Sequence, residues 1–196
     1  SFSSQIGGDS LLVQGASGNT SIKSGNILWV KASGTLLASA MHQNIFIPLS
    51  LETLRSNMRT GISDLFPETA SSQLGQHALR PSIETSMHAA LSALVVAHVH
   101  CVNTISIASR QDAENVLQGL LSEFDWAWIP YRRPGLPLTK EILRRGLQEK
   151  SVIVLGNHGL VISGPDIASV SRMLYDVTVR LRHEPRPCHK VNLNKI

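Results

Sequence analysis

Ala93-Leu94-Val95-Val96-Ala97-His98-Val99-His100 sets two histidines two positions apart at the end of an apolar run. The run is rich in β-branched residues, which favour a pleated, buried strand. Such residues continue to Ile107, so the sequence predicts one long strand from Leu94 to Ile107 through both histidines. In a strand, residues i and i+2 face the same way, about 6–7 Å apart along the chain. His98 and His100 are thereby placed to grip one ion, and Cys101 alternates away from it. Two imidazoles buried after five apolar residues would be costly without a partner. A third, His158, stands in Gly156-Asn157-His158-Gly159, between the apolar runs Val152–Leu155 and Leu160–Ile162. Three imidazoles with one position open is a common layout for catalytic zinc, although neutral imidazole also suits iron, copper and nickel. Glu84 is the candidate carboxylate beside the ion, because it stands at a helix start where the dipole favours its charged form. His88 lies one turn further on. It can act with Glu84 as an ExxxH ligand pair or as a hydrogen-bonding partner.

The 196 residues suit one domain spanning 1–196, with 42% hydrophobic and 16% charged residues marking a globular chain. Only Cys101 and Cys188 occur, which excludes a disulfide scaffold and fits a reducing cytoplasm. No apolar stretch reaches the roughly 18 residues a membrane span needs, and no signal-peptide pattern opens the chain. The net charge of +4 is spread over the pairs Arg132-Arg133 and Arg144-Arg145 and the loose series Arg180, Arg182, Arg186 and Lys190. A nucleic-acid surface would be denser and interleaved with aromatics. Such pairs read first as solvated helix faces, and more sharply as charge for a small anionic substrate.

Phe2 to Val13 reads as a short helix weakened by Gly7-Gly8. Thr20–Lys23 and Asn26–Lys31 read as a hairpin around Ser24-Gly25, and Asn44–Pro48 as a further short strand. Leu51–Arg59 has helical spacing, and 61–79 is polar enough for a surface loop. Pro81-Ser82 opens a helix to about Ser92. Asp112–Ser122 is helical, Trp126–Tyr131 is a strand, and Thr139 caps a helix to about Glu149. Val152–Leu155 and Leu160–Ser163 pair across the His158 turn. Pro165-Asp166 starts a last helix to about His183. Tight strand pairs mixed with helices predict one α/β domain with a largely antiparallel sheet.

Three small, donor-rich segments remain: Gly15-Ala16-Ser17-Gly18-Asn19-Thr20-Ser21, Ser33-Gly34-Thr35, and Ser82. Backbone N–H groups and hydroxyls of this kind can cradle an anion. The pattern is neither a Walker loop nor a dinucleotide fingerprint.

Taken in order, Gly18-Asn19-Thr20-Ser21, Ser33-Gly34-Thr35, Pro81-Ser82-Ile83-Glu84, His98-Val99-His100 and Asn157-His158-Gly159-Leu160 resemble the class II aldolase/adducin family. That family includes fuculose- and rhamnulose-phosphate aldolases and ribulose-phosphate 4-epimerases. The resemblance implies a three-layer α/β/α sandwich around a mainly antiparallel sheet. It implies a divalent metal, usually Zn2+, on His98, His100 and His158, with Glu84 as the acid/base beside it. It implies phosphate contacts from Gly18, Asn19, Ser33, Gly34 and Ser82, and a homotetramer with its sites at subunit interfaces. Two positions depart from the pattern. Ile83 stands where many members have a second serine, and no tyrosine matches the acid of the aldolases in the segment after the histidine pair. Tyr131 comes later, beside Arg132 and Arg133, which are candidates for holding a distal carboxylate or phosphate. The aromatic and basic stretch Trp126 to Arg133 is also the candidate for an interface contribution.

The expected function is that of a metal-dependent aldolase, cleaving a carbon–carbon bond of a hydroxy-carbonyl sugar or sugar phosphate through a metal-stabilised enediolate. A decarboxylase or 4-epimerase would use similar chemistry. An adducin-like interaction domain would need none of it, and bound metal separates the two classes.

Overall fold

The computed structural model describes residues 1–60 and 79–184. The polar stretch read as a surface loop falls almost entirely outside them, as do Cys188 and the basic residues Arg186 and Lys190. Seven strands form one sheet: β1 Asn19–Ser24, β2 Ile27–Lys31, β3 Phe46–Ser50, β4 Val95–Val99, β5 Trp126–Ile129, β6 Val152–Leu155 and β7 Gly159–Gly164. Their spatial order is β3-β2-β1-β4-β7-β6-β5, and every neighbouring pair is antiparallel except β5 with β6. The helices are α1 Phe2–Gly8, α2 Leu51–Thr60, α3 Thr85–Ala90, α4 Val102–Ala108, α5 Ala113–Leu121, α6 Leu136–Arg144 and α7 Ile167–Arg180.

Strand alternation assigns the two faces. Val95, Ala97 and Val99 of β4 pack with Val152, Val154, Leu160 and Ile162 against α1, α4, α5 and α7. Val96, Ile153, Leu155 and Val161 pack on the other face against Met87 of α3 and Leu138 and Ile142 of α6. Leu28, Val30 and Leu49 continue that second layer under Leu51 and Leu54 of α2. This is the expected α/β/α sandwich with a mainly antiparallel sheet.

Three local readings change. The predicted strand Leu94–Ile107 is β4 followed by α4. From Val102 onward the buried positions fall at Thr104, Ile107 and Ala108, which is helical spacing, and that period overrides the β-branched composition. The helix expected to be capped by Thr139 is capped four residues earlier by Gly135, at φ 90°, and stops near Gly146 at φ 66°. Thr139 lies inside it, buried and bonded to Gly135 O and the Ser86 hydroxyl. The helix after Ser82 starts only at Thr85 and ends at Ala90. Trp126 and Trp128 pack partly buried against the core of the edge strand β5.

Register fixes where chemistry can collect. Asn19 opens β1 opposite His98 near the end of β4, and Ser21 faces Val30 near the end of β2. β4, β5 and β6 run the same way, so their C-terminal ends share one edge of the sheet with the start of β1 and the end of β2. His98, Lys31, Gly18, Tyr131 and His158 all leave the sheet at that edge.

Candidate metal centre

His98 is the fourth residue of β4, on the face that α3 covers, and His100 follows just beyond the strand end. His158 reaches them because the β6–β7 hairpin turns through Asn157 at φ 50°, a left-handed conformation that asparagine tolerates better than most residues. Asn157 N–H donates to Ala108 O at the end of α4, which pins that turn. The ring centroids of His98, His100 and His158 lie 4.9–5.3 Å apart, each pair edge-on. Gly159 is what leaves room for them. A Cβ there would meet Val99 O at 2.5 Å and the His98 and His100 rings at 3.2 and 3.3 Å.

Glu84 enters from the start of α3. Its Oε1 lies 3.2 Å from His98 Nε2 and 3.0 Å from His158 Nε2. One ligand atom from each of Glu84, His98, His100 and His158 lies within 4.8 Å of the other three. The contacts are close without being aligned as hydrogen bonds: Glu84 Oε1, His98 Nε2 and His100 Nε2 are buried atoms with no hydrogen-bond partner. Leaving such atoms unsatisfied costs on the order of 1–3 kcal/mol each.

Charge gives the same answer. His98 Nδ1 sits 3.1 Å from Leu160 O and therefore carries a proton there. In a neutral ring its Nε2 then presents a lone pair to a carboxylate oxygen, which is repulsive unless a positive charge lies between them. Burial opposes charging His98, yet the Glu84 carboxylate raises its pKa above the usual value. Burial would push the Glu84 carboxyl up, but the neighbouring His98 and His158 and the hydrogen bond from Asn19 hold it well below the usual range. Burial, with His98 and His158 adding, lowers His100 to about 4. The cluster thus gathers one carboxylate and three imidazoles around one point, a donor set of the kind that holds a cation. The residues fit a divalent metal.

The other expected residues divide. Gly18 (φ 64°) is buried, and a Cβ there would crowd His98 O at 3.0 Å. Asn19 is buried, and its side chain turns inward to donate to Glu84 Oε2 at 2.8 Å. Ser33 N–H donates to Arg80 O, and an Ala32–Pro81 bridge holds the two segments side by side, so exposed Ser33 and Gly34 stand beside Ser82. Ser82 Oγ accepts the Glu84 N–H at 3.2 Å. Ile83 is 66% exposed. Tyr131 follows β5 and is exposed, with its backbone against Gly156. Arg132 is tied to Glu141 at 3.6 Å, while Arg133 is exposed. His88 is no ligand: it faces Ser21 and Asn19 instead of the ion site.

One residue escaped the sequence reading. Lys31 ends β2 with only 2% exposure, its Nζ donating to Ala16 O at 3.0 Å and Ala32 O at 3.4 Å. Burial lowers its pKa, with Glu84 opposing. Among the described residues no carboxylate lies within ion-pair reach of it. The available signal was a lysine directly before Ala32-Ser33-Gly34, in a strand otherwise apolar.

A family model described as Class II Aldolase and Adducin N-terminal domain matches residues 4–181. The chain belongs to this family. Its fold matches the N-terminal class II aldolase domain of a conserved protein from Thermoplasma acidophilum, with TM-score 0.74 and 25% identity, over 92% of this chain and 88% of that one. L-Fuculose-1-phosphate aldolase from Thermus thermophilus shares the fold at 12% identity, with TM-score 0.61 over 92% of this chain and 87% of that one. Among curated proteins, an uncharacterized oxidoreductase named YuxG, from Bacillus subtilis (strain 168), is 28% identical over 200 residues. The match takes in 93% of this chain and 28% of that protein, so the chain spans little more than a quarter of its curated relative's length. No helix among the described residues is long and apolar enough to cross a membrane. The class II aldolase assignment and the four-residue cluster together point to divalent-metal chemistry.

Proposed function

We propose that this class II aldolase domain is a metal-dependent lyase that cleaves a carbon–carbon bond in a small hydroxy-carbonyl substrate with an anionic end, a sugar phosphate or a sugar acid. The observation that carries this reading is the convergence of Glu84, His98, His100 and His158 on one point, with Glu84 Oε1, His98 Nε2 and His100 Nε2 buried and unpartnered. His98, His100 and His158 would hold the metal, zinc by preference, and when bound it supplies Lewis-acid stabilisation for charge developing on the substrate oxygens. Glu84 takes the hydroxyl proton that triggers cleavage and returns it in the reverse direction. Its Oε2 is held by Asn19, which leaves Oε1 as the working oxygen. Gly18, Ser33, Gly34 and Ser82 line the anion cradle, and Lys31 supplies the charge there. A buried ammonium facing only carbonyls has capacity for an anion. Arg133 is the better placed of the two arginines for a distal carboxylate, because Glu141 already engages Arg132.

The oxidoreductase name of the longer relative is not transferred: this sequence contains no G-x-G-x-x-G stretch. We read the chain as one cytoplasmic domain acting as a homo-oligomer, most simply a tetramer. Exposed apolar side chains on β1 and β2 support the association, where Ile22 pairs with Trp29 and Ile27 is also exposed. A panel of phosphorylated and free ketoses and keto-acids, assayed with and without chelator, tests the function. Chelator-sensitive cleavage of one member is expected. Epimerisation or decarboxylation as the sole turnover would move the chain to those reactions. A metal-free, fully folded chain would leave an adducin-like interaction role.

A further inference from the structure

The buried side chains behind Glu84 form one ordered series of hydrogen bonds. Glu84 Oε2 accepts from Asn19 Nδ2, Asn19 Oδ1 contacts His88 Nε2, and His88 Nδ1 lies 2.7 Å from the Ser21 hydroxyl. All four residues are buried, with His88 at 0% exposure. The carboxylate only accepts, so the Asn19 amide must present its NH2 to Glu84 and its oxygen to His88. That oxygen only accepts, so His88 carries its proton on Nε2. The Nδ1 lone pair then requires the Ser21 hydroxyl as donor. Every proton in the series is thereby assigned by valence, and the direction of donation runs from Ser21 to Glu84. Burial lowers the His88 pKa to about 3, with His98 and Lys23 adding and Glu84 opposing, so the ring stays neutral as the series needs.

We propose that His88 is a positioning residue of the metal centre: by holding the Asn19 oxygen it keeps the asparagine NH2 on Glu84 Oε2, and so aims Oε1 at the ion. Glu84 selects the orientation of the Asn19 amide, and the His88 N–H anchors the amide's other end, so that without it the asparagine is held at one end only. The role deepens the metal reading and rests on it. It differs from both alternatives that the ExxxH spacing suggested, since the His88 ring is neither a ligand nor bonded to the Glu84 carboxylate.

The test measures Zn2+ affinity of the purified chain by competition with a chelating dye. His88→Leu is expected to weaken binding by about tenfold, the low end for loss of an orienting partner around a metal site. His88→Gln can still donate to the Asn19 oxygen, and should restore affinity close to wild type. In a Glu84→Ala background His88→Leu should change nothing further, because its effect runs through that carboxylate. Should the leucine variant fail to fold, Ser21→Ala removes only the donor that fixes the tautomer, and a smaller loss is expected, again only when Glu84 is present. Equal affinity for wild type and a folded His88→Leu overturns the positioning role alone. The same loss with and without Glu84 reduces it to packing. A wild-type chain that takes up no Zn2+ overturns the metal reading, and the positioning role falls with it.

Discussion

Glu84 divides its two oxygens between two duties: Oε2 is fixed by Asn19, and Oε1 faces two imidazoles. Glu84→Gln keeps the shape and removes the proton acceptor. Turnover of the substrate found by the panel should drop by about 10²–10⁴, the usual effect of losing a general base, while circular dichroism stays unchanged. Normal turnover would reduce Glu84 to a charge at a helix end. Gly159 answers a steric demand at the same centre. Gly159→Ala forces a methyl against Val99 O and both neighbouring rings, so it should cost on the order of 1–3 kcal/mol and strip the bound metal. Calorimetry and elemental analysis read the two effects. Lys23 carries a pH signature of its own. Burial, helped by Arg55, brings its pKa down to about 8 from 10.5. Between those values the unfolded chain holds more protons, so this residue adds stability as pH rises from 8 to 10.5 and withdraws it as pH falls back through 8. Lys23→Met should flatten that rise in denaturant midpoints, and exceed wild type in stability at neutral pH.

At the level of elements, the helix that closes the sandwich is started by one side chain. Asp166 caps α7, its carboxylate accepting the Ser169 N–H at 2.7 Å. Asp166→Ala should cost about 0.5–2 kcal/mol and lower the melting temperature without altering the metal content, since α7 lies across the sheet from α3. An unchanged melting temperature would mean that packing of Val170, Leu174 and Val177 alone sets that helix. The β6–β7 hairpin was legible from its apolar runs and the Asn157-His158-Gly159 turn, because local pairing needs only local information. The junction after His100 was not. Its β-branched composition speaks for strand, and the apolar spacing that favours a helix emerges only once α4 has the sheet to lie on.

For the whole molecule, the antiparallel order brings segments from five strands to one sheet edge, and the paired Ile22 and Trp29 lie exposed on one face of β1 and β2. If that face joins subunits, Trp29→Lys should lower the mass seen by light scattering. A wild-type chain that is monomeric with full activity at assay concentration would remove the assembly from the function. The stretch Trp126 to Arg133 offers less to a partner than its composition suggested, because Trp126 and Trp128 spend much of their surface on the core.

The sequence alone determined the layered α/β class, the three histidines, Glu84 and the small-residue segments, because spacing and turn chemistry are written locally. Tertiary structure decided what those side chains do to one another. Asn19 reads as an anion contact in the chain and becomes the clamp on Glu84 in the fold. His88 reads as a candidate ligand and becomes the residue that holds that clamp. Lys31 carried no motif of its own, and its significance comes from burial beside Ala16 and Ala32, two carbonyls that meet only when β2 has paired with β1. Hydrogen-bond partners far apart in sequence, and the loss of water that makes each one matter, exist only once the sheet has formed.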